Sequence, residues 1–279
     1  MDRPAPPGTG IHLTSVDASR PDNHSGAVNY DMSALLRDWD YVPGQVVARR
    51  FKGRDGRERI QLRVDLGILQ MHAEGRPDGK RPLGHESWLE CFKARLEKRQ
   101  TGAGSEEGEF ELSAEDCSRL QQEAIQYHHR YICFFQLEDY DAVVRDADRN
   151  EDACEFATAF AANDELGWSM NQFLPQTLMM RTRAVGTKAL KAGQHEDAIQ
   201  LIEYGIGTLE DFYREHGRED LLEISGELGS LRQWLGEVRS RKPVTELEKL
   251  QNQLSEAIRL EDYERAARVR DQLRKIEEP

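Results

Sequence analysis

The residues of this chain whose types could do chemistry are two adjacent histidines, four cysteines, abundant carboxylates and one run of arginines. His128 and His129 fall in the middle of a long segment with helical apolar spacing. Adjacent helical side chains point about 100° apart, so the two rings are poorly placed to share a metal ion and packing is their better use. Cys91, Cys117, Cys133 and Cys154 include no C-x-x-C pair, a spacing that suits neither a zinc knuckle nor a disulfide framework. Each is expected to be a small buried hydrophobe in a reducing compartment. Glu106-Glu107 lies in a Gly- and Glu-rich stretch and reads as solvated. The sequence has no phosphate loop, no G-x-G-x-x-G behind a strand, no H-E-x-x-H and no G-x-S-x-G. The expectation is a protein that is not an enzyme and takes neither metal nor cofactor.

What remains is ionic chemistry. The 279 residues carry a formal charge of −13, which argues against the whole chain binding nucleic acid, since phosphate contacts need clustered cations. Charge is nonetheless polarised. Pro43 to Gly84 holds ten cations against five acids, a balance of +5 that leaves −18 for the remainder. Such polarity suggests separate modules. Within the basic stretch, Arg49, Arg50, Lys52, Arg54, Arg57 and Arg59 are the candidate contacts to nucleic acid or an acidic partner.

These cations require a β-ribbon to present them. Gln45 to Phe51 reads as a strand, Gly53-Arg54-Asp55-Gly56 as a hairpin turn, and Glu58 onward as a second strand with Ile60, Leu62 and Val64 on one face. Gly67 is read as a bulge or bend that reverses the apolar face along Ile68 to Met71. Gly75-Arg76-Pro77-Asp78-Gly79 is a tight turn. Glu86 to Lys98 then reads as a helix with Trp88, Leu89, Phe92 and Leu96 on one side. The preceding residues 1–38 are rich in Pro, Gly, Ser and Asp and are expected to be largely disordered, with a short helical turn near Met32 to Trp39.

From Leu112 the chain reads as helical. Ser113-Ala114-Glu115-Asp116 resembles a capping box opening a helix to about Gln136, whose Tyr127, Tyr131, Phe134 and Phe135 form a core stripe. Pro175 is expected to start a helix ending near Lys191, and Glu219 to Val238 a last body helix with Leu222, Leu228, Leu231 and Leu235 inside. Three turns share one plan: Leu137-Glu138-Asp139-Tyr140-Asp141, Ala192 to Ala198, and Leu260-Glu261-Asp262-Tyr263-Glu264. Around the second, Gly186, Ala198 and Gly205 take separations of 12 and 7, which resemble the small-residue contacts of a tetratricopeptide repeat. The first hairpin has Tyr131, Val143 and Asn150 at those places, and the turns lie 55 and 68 residues apart, so no regular array is expected.

The last segment is the most specific. Leu247, Leu250, Leu254 and Ala257, then Ala266, Val269, Leu273 and Ile276, repeat the same 3-4-3 spacing, giving two helices with one narrow apolar stripe each. Asp262 is a candidate N-cap for the second. Stripes so narrow call for more apolar surface, from the rest of the chain, a second copy or another protein. The run Leu250-x3-Leu254-x2-Ala257-x3-Glu261-x-Tyr263-Glu264-x-Ala266-Ala267-x2-Arg270-Asp271-x-Leu273-x2-Ile276 resembles the UVR motif. That motif ends two components of the bacterial excinuclease and recurs in protease-associated chaperones and protein-arginine-kinase activators. The resemblance implies an antiparallel helical hairpin that pairs with another of its kind. The zinc-binding cysteine pairs of the kinase activators have no counterpart here.

The expected architecture is mainly α with a small β part. It comprises a tail (1–38), a basic β-hairpin or meander module with one helix (39–99), a linker (100–111), a tetratricopeptide-like helical body (112–239) and a UVR-type antiparallel hairpin (240–279). The expected function is a bacterial adaptor or scaffold whose hairpin joins a partner with a UVR-type hairpin, or a second copy. Leu250, Leu254, Ile258, Tyr263, Ala266, Ala267, Leu273 and Ile276 would supply affinity, and Arg270 and Asp271 register. The rival expectation is a repair-linked accessory protein that uses the basic ribbon. No stretch approaches the roughly 20 apolar residues a membrane span needs, and the start, Met1 to Gly8, has no basic then apolar leader. A cytoplasmic location is expected.

Overall fold

The structure is a computed structural model describing residues 31–102, 109–242 and 246–277, with side chains described for 31–102, 109–242 and 249–274. The chain divides into two compact units, Met1–Trp39 and Asp40–Pro279. In the first, the described structure is one short helix, α1 (Ser33–Leu36), the helical turn expected there. The Asp31 carboxylate accepts from the Ser33 N–H and hydroxyl at 2.8 and 2.6 Å. The expectation of disorder before it falls on 1–30, outside the described residues.

The second unit begins with a three-stranded antiparallel meander, β1 (Val47–Lys52), β2 (Glu58–Val64) and β3 (Gly67–His72), in the order β1-β2-β3. Gly53 to Gly56 makes the first turn, with Gly56 at φ +75°, where a residue bearing Cβ is strained. The second turn corrects the reading of Gly67 as a bulge. Val64 pairs with Gly67, so the chain reverses fully at Asp65-Leu66. That turn lacks the Asn-Gly or Asp-Gly signature and is held by a side chain instead. The Arg63 guanidinium donates to the carbonyls of Val64, Asp65 and Gly67, the last two at 3.0 and 3.1 Å.

Ser87 caps α2 (Trp88–Gln100) through its hydroxyl. The expected capping box opens α3 (Ala114–Gln136): Ser113 Oγ accepts from Asp116 N–H and the Asp116 carboxylate accepts from Ser113 N–H. Then follow α4 (Tyr140–Phe160), α5 (Asp164–Asn171), α6 (Leu174–Lys191) and α7 (His195–Glu215). The final body helix, α8 (Gly226–Arg241), starts at Gly226 rather than Glu219, because Glu219–Leu221 forms a separate 3-10 turn and Ser225 is the N-cap. It also runs on to Arg241, past the expected end of the body at 239, and Arg239 pairs with Glu203 of α7. The chain ends in α9 (Glu246–Arg259) and α10 (Tyr263–Glu277). Among described residues no helix is long and apolar enough to cross a membrane.

The expected boundary between ribbon module and body does not separate two cores. Ile60, Leu62 and Met71 of the sheet pack in one cluster with Tyr131, Cys133 and Phe134 of α3 and Val143 of α4. Leu89 and Phe92 of α2 join the main core with Leu120, Ala157, Ile202, Leu209 and Leu231. An exposed basic edge and an acidic body thus share one frame, because charge follows surface while the core follows the buried face of each element.

Three helical turns have the same backbone. Glu138, Gly193 and Glu261 all take positive φ, at +61°, +77° and +56°. Each is followed by an N–H bonded five residues back: Asp139 to Phe134, Gln194 to Ala189 and Asp262 to Ala257. This left-handed closure satisfies carbonyls that a helix end would otherwise leave unpaired. Gly186 of α6 faces Ile202 of α7 and Trp234 of α8, and Gly205 of α7 faces Thr182 of α6 so closely that a Cβ would overlap it. The small residues do mark a close helix contact.

A Cβ at Gly193 would meet no neighbouring atom, so Gly193→Ala isolates the cost of φ. It is expected to destabilise the chain by about 1 kcal/mol in urea titration. Glu138→Gly should act in the opposite direction, since it relieves a non-glycine residue of the same conformation.

Candidate docking surfaces and the buried frame behind them

Along α3, Asp116, Leu120, Glu123, Tyr127, Arg130 and Phe134 follow a 4-3-4-3-4 spacing, and all are buried. Two full charges therefore stand in the middle of a core stripe, where each must be paired. Arg130, 1% exposed, meets Asp146 of α4 in a two-pronged pair, Nε to Oδ2 at 2.6 Å and Nη2 to Oδ1 at 2.8 Å. Its Nη1 donates to the carbonyls of His72 and Gly75 at 2.9 and 2.7 Å. One guanidinium thus ties α3, α4 and the turn after β3. Arg145 reinforces the same turn through the Glu74 carboxylate, at 3.0 and 2.9 Å, and the Ala73 carbonyl at 3.0 Å.

Glu123 serves the other junction. Its carboxylate accepts from Trp88 N–H at 2.9 Å and Leu89 N–H at 3.4 Å, covering the first turn of α2, where a negative charge is favoured. Arg149 and Arg76 pair with it. None of Glu123, Arg130, Asp146 and Arg149 was singled out by motif, and Arg76 appeared only as a member of the tight turn. For Glu123 and Arg130 the signal was present all the same, as charges at positions of α3 where the 4-3 spacing demands apolar side chains.

The frame presents the ribbon in two parts. Arg49 bonds Gln61 at 2.7 Å, Arg50 bonds Asp139 at 2.5 Å, and Arg59 bonds Asp55 at 2.6 Å. These three of the six candidate contacts are engaged within the chain. Lys52, Arg54 and Arg57 are exposed around the β1–β2 turn, a compact set of cations able to meet phosphate or carboxylate.

In the C-terminal hairpin the two stripes pack on each other. Leu250 and Ala257 of α9 and Ala266, Val269 and Leu273 of α10 are buried, and Leu254 packs on the seam. Asp262 caps α10 as expected, its Oδ1 accepting from Arg265 N–H at 3.0 Å. The ten candidate contact residues therefore divide. Leu250, Ala266 and Leu273 hold the hairpin closed, with Leu254 partly so. Ala267, Arg270 and Asp271 are exposed, the last two paired at 3.5 Å. Ile258 and Tyr263 are 56% and 70% exposed, and Leu260 between them, not among the candidates, is 56% exposed. The side chain of Ile276 lies outside the described residues. The turn thus carries three exposed apolar side chains beside a closed seam.

The remaining chemical candidates are packed groups. Burial pushes His128 down to about 4, and its Nδ1 lies 2.7 Å from the Tyr131 hydroxyl. Cys133 and Cys154 are pushed up to about 12 by burial, which makes them poor nucleophiles. Among described residues no group of three or more His, Cys, Asp or Glu could hold a metal ion.

Removing one partner of the buried pair strands the other charge. Asp146→Ala is expected to cost about 3–5 kcal/mol in urea titration. Arg130→Met combined with Asp146→Leu should recover much of that loss. It should still speed hydrogen exchange at Ile60 and Met71, because the turn carbonyls of His72 and Gly75 lose their donor.

Among known proteins, no curated protein and no solved structure gives a significant match, so the tetratricopeptide likeness of the body rests on its small-residue contacts alone. Residues 245–278 match the UvrB/uvrC motif, the span of the closed hairpin.

Proposed function

We propose that this protein is a non-catalytic cytoplasmic adaptor whose C-terminal hairpin docks, as a closed unit, onto a partner carrying a hairpin of the same motif. The observation that carries this reading is the coincidence of the UvrB/uvrC match with the hairpin whose turn exposes Ile258, Leu260 and Tyr263. Motifs of this kind mediate interaction in the UvrB/UvrC family. Affinity comes from the exposed tip, while Arg270 and Asp271 on the outer surface of α10 tune orientation more than strength. The seam leucines act indirectly, by keeping the two helices together.

The test uses the full chain, alone in sedimentation velocity and then titrated with a UvrB protein that ends in the motif. Ile258→Asp with Tyr263→Ala should weaken association at least tenfold with an unchanged melting temperature. Leu273→Asp should abolish association and also lower helical content. Association that survives both changes contradicts the proposal.

A second reading is supported by the exposed cations Lys52, Arg54 and Arg57 at the ribbon tip. It is an accessory role on DNA or RNA, with the hairpin recruiting repair proteins. In that case binding at about 50 mM salt should fall on a log–log salt plot with a slope of about −3 on duplex DNA, as expected for three phosphate contacts. Replacing all three by Glu should abolish it. No binding at that salt removes this reading.

A further inference from the structure

Between α4 and α7, above α6, runs an open groove of about 700 Å³, a size that takes several side chains of a docked segment. Its floor is apolar, built from Leu174 and Leu178 of α6 and Phe212 of α7. Tyr204 stands at its edge, 71% exposed. Its walls are acidic: Glu151 and Glu155 descend from α4, Asp211 and Glu215 from α7. Asp211 is paired with Arg214, but among described residues Glu151, Glu155 and Glu215 have no ion-pair partner. Arg181, the cation of the adjoining stretch, is committed to Asp148 at 2.5 Å. His216, also on the lining, is bonded to Asn171 and the Phe212 carbonyl. Burial raises the Glu151 carboxyl, and Glu155, Asp148 and Asp152 add to that against Arg181.

A groove with an apolar floor and uncompensated carboxylates on both walls selects by charge as well as by shape. We propose that it docks a cationic segment of a partner protein, with arginine or lysine side chains against the α4 and α7 carboxylates and one apolar side chain on Leu178 and Phe212 beside Tyr204. This surface is separate from the terminal hairpin, so the adaptor would hold two proteins at once. Gly207 lines the groove, and a Cβ there meets nothing within 4 Å. A side chain at that position therefore starts in open space at the groove.

The test selects phage-displayed random dodecapeptides on the full chain and measures the recovered peptides by fluorescence anisotropy. The expected result is a pool rich in Arg and Lys around one Leu or aromatic residue, whose binding weakens severalfold from about 50 to about 200 mM salt. Affinity should fall at least tenfold for Glu155→Lys, and equally for Gly207→Trp. Both variants should keep the parent melting temperature and the parent hairpin association, which separates this surface from the hairpin. An unenriched pool, a pool without cationic bias, or parent-like binding by either variant overturns the proposal. So does self-association of the chain that Glu155→Lys abolishes, since a second copy would then be the occupant.

Discussion

A guanidinium sealed inside the protein governs how the rest is arranged. Arg130 is nearly inaccessible, yet its donors are directed at oxygens from different parts of the chain: the carboxylate of Asp146 and the carbonyls of His72 and Gly75. An unmatched donor or acceptor on a buried cation costs more than a matched one contributes. Docking of the sheet on α3 and α4 is therefore favoured in the position where Arg130 meets all these oxygens. Glu123 imposes the same condition on α2, whose first amides must reach its carboxylate. Apolar contact from Ile60, Leu62 and Met71 supplies attraction without direction, and the ionic groups supply the direction.

That division explains which features the amino-acid order reveals and which it conceals. Local rules carry the helix ends, since the Ser113–Asp116 box and the Asp262 cap act within one turn. The three left-handed turns are legible because their residues repeat one short pattern at 137–141, 192–198 and 260–264. The Asp65-Leu66 reversal is hidden, because Arg63 satisfies its carbonyls and the turn needs no glycine of its own at the tip. Helix α5 escapes notice because its eight residues give too short a window for periodicity. The coupling of ribbon and body is concealed by charge polarity, a property of the surface that says little about which buried faces meet. Glu123 and Arg130 look like ordinary polar residues until their places in the apolar spacing of α3 are weighed against their burial.

In the candidate site, spacing identifies the hairpin and its stripes but assigns both faces of each helix to one task. Geometry separates them. Leu250, Ala257, Ala266, Val269 and Leu273 are spent on closing the hairpin, and the exposed large apolar side chains among its described residues cluster around the turn, where Leu260 joins Ile258 and Tyr263. Spacing alone finds the seam; it cannot tell which remaining apolar residues stay uncovered. If the hairpin docks as proposed, its closed form would need little rearrangement, so most of the contact energy would appear as affinity.

The central claim, that the hairpin binds as a closed unit through its turn, is tested most directly by hydrogen exchange of the intact protein with and without a partner bearing the UvrB/uvrC motif. The account predicts added protection at amides from Ile258 to Ala267, with the seam amides near Leu250 and Leu273 at least as protected as in the free chain. Loss of protection along the seam on binding, or new protection confined to other elements, would contradict it.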